Sequence, residues 1–168
     1  MIQTAAFGDA IRQFLMPLVG TLVGALVGYR LAISAHIREK RHDFIVEQLR
    51  DFYAPLLALR DEIASKTDQC WNPLQNYFNA DHFHKAVWPL YRQIATLFSS
   101  KLWLASPSTR AFHANVIKVI EGFQFGMDNN LIDDRDLDSR ISKALQPFYD
   151  HLSMMLDSLQ RKLLPGEV

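Results

Sequence analysis

The chain carries one cysteine, Cys70, in 168 residues. An internal disulfide is therefore excluded, no CxxC redox or zinc site can form, and the thiol is expected as a small buried apolar side chain. Net charge is lacking too, since 18 Lys and Arg balance 18 Asp and Glu. Without a general basic field the electrostatic attraction that recruits nucleic acid is missing, and no DNA partner is expected. Also missing are a glycine-rich phosphate loop, a nucleophile elbow, an HExxH pair and the paired ExxH motifs of di-iron bundles. These absences point away from an enzyme, and no cofactor or metal is expected. No strand-like alternation is long enough to argue for a sheet.

The absence that organises the chain is that of charge between Arg12 and Arg30, where residues 13–29 read QFLMPLVGTLVGALVGY. With Ala32, Ile33 and Ala35 continuing the apolar pattern, residues 13–35 meet the ~20 residues that a bilayer core about 30 Å thick asks of a helix. Pro17 near the start is tolerable there. Gly20, Gly24 and Gly28 recur every four residues, making two overlapping GxxxG units on one helix face. Between lipid-soluble helices, close backbone approach at such small residues drives association, so these glycines are the candidate oligomerisation site. Leu15, Leu18, Leu22 and Leu26 form the opposite row, facing lipid or lining a dry constriction.

Residues 1–12 carry only Asp9 and Arg12, whereas Arg30, Arg38, Lys40 and Arg41 follow the apolar run. The positive-inside rule places the C-terminal side in the cytoplasm and the short tail outside, as in a single-pass bacterial inner-membrane protein. The same four cations are candidate contacts to anionic headgroups. A cleaved signal peptide is the rival, with Ala32-Ile33-Ser34 as the small-x-small site, but the n-region is poor in positive charge and Arg30 precedes the cut.

The rest of the chain, 36–168 with a basic neck at 36–44, reads as helical. Ile45, Leu49, Phe52, Leu56, Leu59 and Ile63 are spaced 4, 3, 4, 3 and 4. That makes one narrow apolar seam, for the inside of a bundle or a coiled coil between subunits. A helix running unbroken from Arg12 to Ile63 would meet a kink at Pro55. Residues 65–80 are expected as a connector, with Asn72-Pro73 as cap and first position of a short turn. Asp81 should cap a helix whose apolar face continues to Leu102, and Pro89 should bend it. Ser106 to Ser108 open a third helix striped by Phe112, Val116, Val119, Phe123 and Met127, ended by Gly126 and the following Asn-rich run. A fourth begins after Asp133-Asp134, passes Pro147, and stops before Pro165-Gly166. The fold class predicted is all-α: one transmembrane helix continuing into a cytoplasmic up-and-down bundle of about four helices.

Candidate chemistry is sparse. His82 and His84, beside Asp81 and near Cys70 in sequence, invite a metal reading, but i and i+2 do not share a helix face. Arg110 and His113 are spaced to share one, and His113 and His151 are expected as solvated surface residues. The Arg, four to six residues, then His pattern of HEPN-type ribonucleases matches only Arg30 to His36. A ribonuclease would need that pair, or Arg110 with His151, to converge.

A short tail, a glycine-striped span and a basic neck running into RHDFIVEQLRDFYAPLLALRDEI resemble small bacterial membrane proteins of phage-defence and prophage settings. The layout is also similar to the single-span accessory protein of some RNA-targeting CRISPR systems. The likeness is in architecture over the full chain. It implies a homo-oligomer in lipid, a ring or pore that perturbs the membrane in defence. The alternatives are an anchored adaptor for a cytoplasmic protein partner and a tethered HEPN-like ribonuclease.

Overall fold

A computed structural model describes the backbone of residues 3–72, 77–129 and 134–164, and the side chains of 19–71, 78–129, 137 and 139–164. The chain divides into two units, Met1–Phe44 and Ile45–Val168. The basic stretch 36–44 belongs with the first. Helix α1 spans Gln3–Gln48, and every residue from 19 to 44 is exposed.

The second unit is built around two prolines that sit just inside helix starts. A π turn at Leu49–Tyr53 lies just ahead of Pro55, where a kink was expected, and α2 follows at Ala54–Cys70. Pro55 has no N–H for the carbonyl four residues back, and its ring crowds that carbonyl. Just before it, Ala54 N–H bonds the Leu49 carbonyl five residues back, which widens the helix where proline must fit. The device recurs at Phe83–Val87, where Trp88 N–H bonds the Phe83 carbonyl immediately ahead of Pro89 in α4, Trp88–Ser100. Pro147, by contrast, lies inside an α7 that runs from Asp134 to Leu163.

Between α2 and α4 the expected connector is shorter than 65–80, because α2 holds its pattern to Cys70. Trp71–Asn72 (β1) and Tyr77–Phe78 (β2) then pair antiparallel as a two-residue ladder. The Pro73 side of the expected cap lies outside the described residues. Helix α3, Ala80–His82, is capped by Asn79 rather than Asp81: Asn79 Oδ1 accepts from His82 N–H at 3.0 Å. An Asn just before the first helical turn reaches back-pointing N–H groups that Asp81, already inside it, cannot. After α4 a 3-10 turn takes Leu102–Leu104, so Leu102 is not part of that helix. Ser106 caps the short α5, Pro107–Arg110, by accepting from Thr109 N–H at 3.2 Å. Helix α6 runs His113–Asp128, ending at the expected Asn-rich run with Asn129 as its C-cap, and encloses Gly126 in its last turn.

Helix α2 packs on α4 and α7, α4 on α6, and α6 on α7, closing four helices around one hydrophobic core. Its centre is aromatic. Phe98 stacks on Phe148 with centroids 5.1 Å apart and meets Phe52 edge-on at 5.6 Å. From the seam, Phe52, Leu56 and Ile63 are buried, and Ile45, Leu49 and Leu59 pack against the same cluster. Leu137, Ile141, Leu145, Phe148 and Leu152 of α7 face them, all 2% exposed or less. Val116, Ile120 and Gly126 are the buried positions of α6, with Phe112, Val119, Phe123 and Met127 packed partly around the core. Cys70 is buried, as a small apolar residue should be.

Candidate membrane and assembly surface

Among the described residues one helix is long and apolar enough to cross a membrane. Its apolar side chains are bare: Leu22, Leu26 and Leu31 are 64%, 60% and 65% exposed. A contiguous apolar surface of this kind is costly in water and marks a surface covered by lipid or by protein. Leu15, Leu18 and Pro17 lie outside the described side chains. A Cβ added at Gly20, Gly24 or Gly28 would meet nothing within 4 Å. No contact among the described residues therefore demands glycine there, although glycine costs helix stability relative to alanine by about 1 kcal/mol in water.

Arg30, Arg38, Lys40 and Arg41 are exposed, and none makes an ion pair among the described residues. Arg38 and Arg41, three apart, share a helix face. Arg30 and His36 do not: six residues at about 100° each put them roughly 120° apart around α1. His36 instead lies 3.9 Å from Glu39, one turn on.

Four polar residues of the second unit, Tyr53, Ser106, Thr109 and His151, form one connected network. Tyr53 hydroxyl lies 2.9 Å from Thr109 Oγ1 and accepts from Ser106 N–H at 3.2 Å. Thr109 Oγ1 is also 2.8 Å from Ser106 Oγ and 3.1 Å from His151 Nε2. Burial holds the His151 imidazole below its ordinary protonation range. With Nδ1 protonated, Nε2 accepts from Thr109, which accepts in turn from Tyr53 and Ser106, so every hydroxyl has a direction. Gln48 Nε2, also buried, donates to the Leu104 carbonyl. These bonds tie the π turn, the 102–110 loop and α7 together, satisfying groups that would otherwise be stranded in the core.

The structure corrects two histidine expectations. His113 and His151 are both half-buried against aromatic rings rather than fully solvated. His113 lies edge-on to Phe98 at 5.1 Å with Nε2 3.0 Å from Ser99 Oγ, and the His151 ring lies against Phe112 at 4.9 Å. The break at Ala111 and Phe112 ends α5 at Arg110 and starts α6 at His113, so that pair does not share a helix. Arg110 gives its guanidinium to the carbonyls of Ala105 and Trp103 at 2.9 and 3.0 Å. His82 lies at the end of α3 and His84 in the π turn after it. Among the described residues no three metal-ligating side chains cluster. The Tyr53, Ser106, Thr109 and His151 network escaped sequence reading because the bonds that join its separate elements link residues 42 to 56 apart. The Ser-Pro-Ser-Thr capping pattern was the only local signal.

No family model, no curated protein and no solved structure matches the chain.

Proposed function

We propose that the chain is a single-pass bacterial inner-membrane protein that self-associates through its span, with residues 13–35 in lipid and 36–168 in the cytoplasm. The observation that carries the reading is the bare apolar surface of 19–35 with its unfilled glycine row. In lipid such a row is a packing surface, because backbones approach most closely where side chains are absent. The assembly is a ring or pore in which Gly20, Gly24 and Gly28 pack the spans, while the 45–63 seam couples each span to its cytoplasmic core. Its role is membrane perturbation in phage defence. Arg30, Arg38, Lys40 and Arg41 hold the orientation and contact anionic headgroups.

The test is the mass of the full-length protein in nanodiscs, beside Gly24→Ile and a fragment starting at Arg38. A defined oligomer lost in both is expected. A wild-type monomer sinks the reading, and an oligomer unaffected by Gly24→Ile removes the glycine row from it. A second reading, an anchored adaptor, is favoured by the exposure of Trp103, Phe125 and Met154, at 52%, 63% and 57%, on the second unit. Monomeric protein that captures a cytoplasmic partner through these side chains would support it.

A further inference from the structure

The apolar seam of α2 changes character near its end. Continuing its spacing beyond Ile63 by four and then three residues reaches Thr67 and Cys70. Cys70 Sγ donates to the Lys66 carbonyl at 3.3 Å. Thr67 Oγ1, in a position where the seam elsewhere holds Leu, Ile or Phe, is buried and finds no hydrogen-bond partner among the described residues. A buried hydroxyl left so is costly, and native proteins rarely tolerate it without water or a ligand.

Thr67 lines a cavity of about 340 Å³ between α2, α4 and α7. Ala64, Thr67 and Asp68 come from α2, Tyr91 from α4, and Gln146 and Tyr149 from α7. The spacings match one helix face each: 64, 67 and 68 on α2, and 146 and 149 on α7. The volume is in the lower part of the range of about 300–1,000 Å³ for small-molecule sites. Apolar wall, aromatic phenols and a few convergent polar groups are the usual makeup of such a site.

The charges select the ligand. Arg60 at the rim already donates to Asp61 at 2.9 Å and to Ser153 at 3.2 Å, and Gln146 Nε2 donates to Asp150 at 2.7 Å. Those bonds leave a carboxylate at Asp68, an amide carbonyl at Gln146 and a hydroxyl at Thr67. A carboxylate repels phosphate and accepts from paired hydroxyls, while amide and hydroxyl match the alternating donors and acceptors on a heterocycle edge. We propose that this cavity binds an uncharged nucleoside, its ribose hydroxyls donating to Asp68 and its base bonding Thr67 and Gln146. This site lies wholly within the second unit and stands independently of assembly through the span.

The experiment is calorimetric titration of the full-length protein in nanodiscs with adenosine, guanosine, cytidine and uridine, and with AMP as the charged counterpart. Thr67→Val keeps the volume and removes the stranded hydroxyl, so it should fold with a Tm no lower than the parent. Ala64→Leu fills the cavity from a rim position that is exposed. The expected result is saturable binding of at least one nucleoside, weakened fivefold or more by T67V and tenfold or more by A64L. Silence from all four nucleosides, affinity unchanged in both variants, or AMP binding as tightly as adenosine would each overturn the proposal.

Discussion

The Tyr53 phenol and the Thr109 hydroxyl meet 2.9 Å apart in the core, 56 residues distant in the chain, with both residues fully buried. This bond joins the π turn ahead of α2 to the capping loop of α5. Replacing the phenol by phenyl, Tyr53→Phe, strips a donor from Thr109 and an acceptor from Ser106 N–H. The expected loss is about 1–3 kcal/mol, the cost of leaving buried polar groups unmet, read as a lower urea midpoint at unchanged m.

Through Thr109 the same network ends at His151, whose pKa burial lowers from its ordinary 6.5. The unfolded imidazole takes a proton at a pH where the native one does not, so acid favours unfolding. Stability should be full above about pH 6.5 and fall as pH drops from there toward the lowered native pKa. Urea midpoints between pH 8 and 5.5 should show this slope in the parent and a flatter one in His151→Asn.

Phe98 is the aromatic hub, stacked on Phe148 and edge-on to Phe52 and His113. Phe98→Ala should cost about 3–5 kcal/mol, because both the transfer energy and the contacts around the void are lost. Thermal unfolding followed by near-ultraviolet circular dichroism would register it as a large drop in Tm.

The proposed membrane orientation rests on exposed cations that no acidic partner neutralises among the described residues. Changing Arg38, Lys40 and Arg41 to Gln should leave insertion intact and weaken the one-sided bias. Reporter fusions at the C-terminus, read for cytoplasmic against external signal, should shift from uniform to mixed.

Much of this architecture was legible because helical burial repeats at a period the sequence displays directly. The 45–63 seam and the α7 stripe from Leu137 onward were visible as spacings, and both line the core. Boundaries were less visible. Asn79 outcompetes Asp81 as a cap, α2 runs on to Cys70, and two π turns precede Pro55 and Pro89. Each depends on which carbonyls and N–H groups find partners, and periodicity carries no record of that.

The sequence by itself determined the apolar span, its glycine row, the basic flank and the helical class, since these follow from local composition and spacing. Only the tertiary structure decided the rest. It put His113 and His151 against aromatic rings, gave Arg110 to backbone carbonyls, joined Tyr53 to Thr109, and left Thr67 bare beside a cavity. The reason is that a polar side chain's partner in a folded core comes from another helix, and the distance along the chain to that helix is not encoded in either residue's neighbours.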